Sequence, residues 1–253
     1  MDWSRLEEEI EIPGSIVEGF SRLLGPPIFC DSTGPDRGYR YSKPSTEHFC
    51  LLKAAKAIVA FRSAVCVAQA GYFTEVATLM RVVAECCTFV EWAANSTAEQ
   101  ATDEHRASVE QLVTEYFSDN LRTAEELPRA LKIRQKEIHD MHGQVLDVTM
   151  ASEGIESKKT ASELMSSVYV RFSKYIHAGY PETIELYGKR LGELSLEGAS
   201  GSIKDVESYK ILESFSHTIG LAVASMVVRL APSSISRLPN EQQAWFHKML
   251  GAE

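Results

Sequence analysis

The sequence predicts an all-α protein, a bundle of about seven to nine helices. Three observations carry this. Apolar residues recur at helical spacing through most of the chain, the pattern of helices that bury one face. Strands do not alternate with helices and no internal repeat is visible. Finally, 44% of the 253 residues are hydrophobic, enough to fill one large core in a single domain.

The elements follow in order. A short acidic helix opens the chain with Trp3-Ser4-Arg5-Leu6-Glu7-Glu8-Glu9. A second is expected to begin near Pro13, because proline suits the first turn, where a missing N–H costs nothing. Gly25 to Pro44 is dense in Gly, Pro and Asp and reads as a long loop, so that 1–44 is a segment of helices and loop. Ser45 to Ala70, rich in Ala and Leu, reads as a long helix stopped by Gly71, and Thr74 to Asn95 as the next. Thr97 is expected to cap a helix reaching Tyr116, and Pro128 to start one reaching Met150. Ala151 to Lys159 is a polar linker. Thr160, with Glu163 three residues on, makes a capping box for a helix ending at Gly179. Pro181 to Tyr187 adds a turn or two. Gly188 to Gly201 is the least helical stretch, where one small hairpin is expected. Val206 to Leu230 is a long, largely buried helix, and Asn240 caps a last short one. Residues 1–253 thus form one helical domain, with 45–187 as its core and 188–253 adding the hairpin or loop and the long helix.

Charge and cysteines bound the function. Twenty-six basic against 35 acidic residues leave a net charge of −9. This argues against nucleic acid as a partner and against an anionic membrane, since both demand a broad basic surface. The five cysteines, Cys30, Cys50, Cys66, Cys86 and Cys87, are odd in number and lack paired spacing, so no disulfide framework is expected. A reducing, cytoplasmic location follows. The acidic N-terminus carries no secretory apolar stretch. The most apolar run, Ile219 to Val228, is shorter than the roughly 20 residues that span a bilayer.

The common catalytic signatures are missing. There is no Gly-x-Gly-x-x-Gly, no phosphate-cradling loop ending in Gly-Lys-Ser/Thr, and no Gly-x-Ser-x-Gly elbow,. No Cys-x-x-Cys or His-Glu-x-x-His occurs, and no histidine has a Glu three residues before it, as a di-iron bundle requires,. No cofactor is expected. His139 and His142 share a helix face and are weak metal candidates, but two ligands fall short of the three or four that a metal site needs.

One constellation stands out. On an ideal helix, Thr74, Thr78, Arg81, Glu85, Thr88 and Trp92 fall on one narrow stripe of a segment that is apolar around most of its circumference,. Such a helix belongs at the centre of the bundle, so Arg81 and Glu85 are expected to be substantially buried and paired. They are four residues apart and can meet. Arg preceding Glu is the poorer order for a helical pair, so partners from another helix are expected. Tyr169, Ser173 and His177 form a second four-residue stripe, beside an apolar face of Met165, Val168, Phe172 and Ile176. A histidine near a carboxylate is held protonated to higher pH, which suits proton transfer near neutrality. Such a network can lock helix register, or it can bind or catalyse. The candidate binding residues are Arg81, Glu85, Tyr169, Ser173 and His177, with His177, Arg81, Glu85 and Ser173 the candidates for catalysis.

The same residues carry a resemblance. Leu51 to Trp92, with its Gly-Tyr link and Leu-Met-Arg-x-x-x-Glu, and the Tyr169-x-x-x-Ser173-x-x-x-His177 pattern resemble a bacterial helical family known as a domain of unknown function (DUF5677-like). The resemblance spans Leu51 to Tyr187, marks the same five positions and implies the fold without an activity. A second resemblance is to the HEPN helical ribonucleases, marked by Arg, four to six residues, then His. Arg171 with His177 and Arg134 with His139 fit that spacing. It implies metal-independent RNA cleavage across a homodimer interface, in phage defence or a toxin system. Phe172 departs from the polar residue usual after that Arg, whereas Gln135 keeps it, and Arg171 projects about 120° from His177 on an ideal helix. The leading expectation is a bacterial helical-bundle protein whose Arg/Glu/Ser/His pocket binds a small ligand or partner.

Overall fold

The computed structural model describes residues 1–31, 38–117, 174–175 and 203–251. Among these, six α-helices, a six-residue 3-10 helix and one two-stranded hairpin account for the regular structure. The helices are α1 (Trp3–Leu24), α2 (Thr46–Gln69), α3 (Phe73–Asn95), α4 (Asp103–Phe117), α5 (Ile203–Leu230) and α6 (Asn240–Met249). The fold is all-α, as the periodicity predicts. α3 packs between α2 and α5, α1 lies across α2 and α5, α4 leans on α2, and α6 docks on α5 and α1. The core is continuous through Leu6, Ile10, Phe49, Phe61, Val65, Met80, Val83, Leu212, Ile219 and Met226, each essentially inaccessible. Fully burying a side chain of this size contributes about 1.5–3 kcal/mol, so the apolar stripes hold the bundle together.

Two expectations about the first 44 residues are corrected. Pro13 does not open a second helix: α1 runs unbroken through it. Proline removes the N–H that would bond the Glu9 carbonyl. The helix survives because its buried stripe, Leu6, Ile10, Pro13, Ile16, Val17 and Phe20, spans both sides of the proline. The stretch read as loop also holds an antiparallel hairpin, β1 (Ile28–Cys30) with β2 (Gly38–Arg40). Phe29 faces Tyr39 across it, edge to face at 5.2 Å, the kind of cross-strand pair that stabilises a short ladder. The hairpin expected near 188–201 lies outside the described residues, as do the helices expected at 128–150, 160–179 and 181–187, save for helical Lys174 and Tyr175.

The remaining boundaries follow local chemistry. Gly71 sits at φ +82°, the left-handed conformation that glycine adopts freely, and turns α2 into α3. α4 begins at Asp103, later than expected. Its cap is Thr102, whose Oγ1 accepts the His105 N–H at 3.1 Å, the geometry of an N-cap satisfying a first-turn donor. Thr97 instead bonds back onto the Ala94 carbonyl at 2.9 Å. The apolar run Ile219 to Val228 belongs to a longer helix, and Lys204–Leu230 has the length and hydropathy to cross a membrane. In the bundle half of its most apolar window is buried, including Ile219, Ala222, Val223, Ala224, Met226 and Val227, while Leu221 stays exposed.

Candidate functional site

The amphipathic pattern of α3 delivers its one charged pair to a half-enclosed position. Arg81 Nε donates to Glu85 Oε1 at 2.8 Å, and the side chains are 12% and 18% exposed. Both carry further interactions beyond this contact. On the same stripe Thr88 and Trp92 are buried, while Thr78 Oγ1 turns back to the Thr74 carbonyl at 3.4 Å. Arg81 and Glu85 therefore meet as the spacing predicts. Tyr169, Ser173 and His177 lie outside the described residues, as do His139, His142, Arg134 and Arg171. Beside His177 in sequence, Tyr175 is half-buried against the core.

Two lysines of α2 lie near Cys86 of α3, the residue after Glu85. Burial pushes the Cys86 thiol up to about 11; Glu85 adds to that rise, while Lys53 and Lys56 oppose it. Lys53 also lies over three rings, with Nζ at 4.6 Å from the Tyr116 centroid, 4.9 Å from Phe89 and 5.5 Å from Phe49. The rings meet edge to face, Phe49 with Tyr116 at 5.0 Å and with Phe89 at 6.1 Å. An ammonium over ring faces is attracted by their quadrupoles, so Lys53 ties α2 to α3 and α4. Sequence spacing gave no sign of this cluster, because its members come from three helices.

Burial acts on several thiols and imidazoles among the described residues. Cys50 and Cys87 are raised by burial, like Cys86; a buried thiol held protonated is a poor nucleophile. His105 is lowered, chiefly by burial and further by Arg106, against the opposing Trp92 carbonyl. It donates Nε2–H to that carbonyl at 3.0 Å and lies on the Trp92 ring at 5.0 Å. His48, bonded to Ser45 Oγ through Nδ1 at 2.9 Å, is also lowered by burial. Among the described residues no group of three His, Cys, Asp or Glu side chains could hold a metal ion.

A cleft elsewhere in the bundle was not visible in the sequence. Glu8, Glu9, Ile12 and Pro13 of α1, Glu213, Ser216, His217 and Gly220 of α5, and Trp245, Lys248 and Met249 of α6 line a cleft of about 360 Å³. Each helix contributes a single stripe, legible in outline from helical spacing, but which stripes converge is a matter of tertiary packing. Comparison with family models, with curated proteins and with solved structures returns no match.

Proposed function

We propose that this chain is a cytoplasmic, bacterial binding protein whose ligand contacts the Arg81–Glu85 pair, with Tyr169, Ser173 and His177 completing the pocket. One observation carries the reading. A charged pair with a 2.8 Å contact sits on the most enclosed helix of the bundle, yet 12–18% of each side chain stays accessible. Exchanging such a pair for apolar groups is often neutral or stabilising, so packing alone gives little reason to keep it. Its partial access gives a ligand a guanidinium whose donor geometry matches carboxylates and phosphates. Five free thiols accord with a reducing compartment.

The test pairs binding with stability. Small carboxylates, phosphates and nucleotides are screened for a rise in melting temperature, on wild type and on Arg81→Met/Glu85→Leu. A ligand lost by the double variant, whose own unfolding stays cooperative, is the expected result; if every hit survives in the variant, or none appears with wild type, the reading fails. The same proteins and His177→Ala are incubated with RNA in chelator. Cleavage by wild type that vanishes in His177→Ala at unchanged melting temperature would replace this reading with the HEPN-type ribonuclease.

A further inference from the structure

We infer that the cleft between α1, α5 and α6 is a second binding site, independent of the Arg81–Glu85 pair, and that its ligand is a small organic cation with an apolar body. Its volume of about 360 Å³ falls within the roughly 300–1,000 Å³ usual for small-molecule sites. The floor is apolar, from Ile12, Pro13, Gly220, Trp245 and Met249, and the rim is acidic, from Glu8, Glu9 and Glu213. Trp245 supplies the ring that attracts an organic ammonium most strongly. Lys248 is the cation on the opposite helix.

The rim is held in place by its own bonds. Ser216, buried at 6% exposure, donates to Glu9 Oε2 at 2.6 Å, and Arg5 bridges Glu9 at 3.1 Å and Glu213 at 3.2 Å. Arg5 fixes these two carboxylates before a ligand arrives, which lowers the ordering cost of binding. It also offsets part of their charge, so that against Arg5 and Lys248 the three carboxylates leave a small negative excess. Glu8 is exposed at the edge. The cleft's shape depends on Gly220: a Cβ there would stand 2.6 Å from Met249 Cε and 3.3 Å from Trp245 Cζ2. The missing side chain lets Trp245 and Met249 of α6 lie close against α5. The carboxylates do not converge on a metal-holding geometry, so the charge complementarity suits a bulky ammonium spread over the indole. The net charge of −9 draws cations toward the surface generally.

The probes are 2-phenylethylammonium and two molecules of like size, 2-phenylethanol and 3-phenylpropionate, titrated to 10 mM into the full chain labelled with nitrogen-15. The protein has three tryptophans, and the Trp245 indole signal is identified by its loss in Trp245→Leu. The ammonium is expected to shift that signal saturably and the other two probes are not. Glu8→Gln should weaken the ammonium about threefold, and Lys248→Met should strengthen it, magnitudes typical of exposed charge and cation–π contacts. The proposal is overturned if the ammonium leaves the Trp245 signal unmoved, if the alcohol or acid binds as well, or if neither charge substitution moves the affinity in its stated direction. Arg81→Met/Glu85→Leu should bind the ammonium like wild type; loss of binding there would merge the two sites and refute their independence.

Discussion

A single ion pair states the central tension in this chain. Arg81 and Glu85 are too enclosed for a surface pair, worth about 0–1 kcal/mol, and too accessible for a fully buried one, whose breaking costs about 3–5 kcal/mol. Glu85→Ala is therefore expected to destabilise by about 1–3 kcal/mol, because the guanidinium loses its 2.8 Å acceptor while remaining largely out of water. Arg81→Met/Glu85→Leu leaves neither charge stranded and should cost less than the single change. Urea unfolding of the three proteins checks the order; a double variant less stable than Glu85→Ala would show that the pair contributes through partners other than itself. The contact was legible because Arg81 is the one cation of α3 and an opposite charge four residues on shares its stripe,. The Lys53 cluster was not, since Phe49, Phe89 and Tyr116 are brought together only when α2, α3 and α4 pack.

Among the described elements, α2, α3 and α5 lie within a few residues of the spans that periodicity predicts, α3 being expected from Thr74 and found from Phe73. Errors gathered where local chemistry and tertiary packing compete. Pro13 has the local signature of a helix start, yet a buried stripe on both sides carries α1 across it. Ile28 to Arg40 is crowded with turn formers, and two three-residue strands are too short to show a period. At α4 the threonine nearer the acidic first turn is the cap. Thr102→Ala removes the acceptor of the His105 N–H and should cost about 1 kcal/mol, whereas Thr97→Ala should leave the start of α4 intact. Thermal unfolding compares the two, and amide exchange at His105 and Arg106 reports the frayed turn; equal protection in wild type and Thr102→Ala would remove Thr102 from that role.

At the scale of the whole molecule, the bundle places two imidazoles at its seams, and their burial makes its stability depend on pH. His48 lies on the Tyr41 ring at 4.1 Å where the hairpin segment meets α2, and His105 fixes α4 to the end of α3 through the Trp92 carbonyl. Burial lowers both, with Glu47 opposing the shift at His48 and the Trp92 carbonyl opposing it at His105. A folded-state pKa below the unfolded value means that the unfolded chain binds protons more readily. The contribution to stability is thus complete above the ordinary imidazole value of about 6.5 and is lost as pH falls through the depressed folded values. The melting temperature of wild type should drop between pH 7.5 and 5.5. In His48→Gln/His105→Gln, which keeps polar groups at both positions but titrates at neither, the drop should shrink. All other titratable groups are common to the two proteins, so the difference between the curves reports the two imidazoles. Parallel curves would mean that neither histidine's burial is felt in folding, and that apolar packing alone holds these two seams.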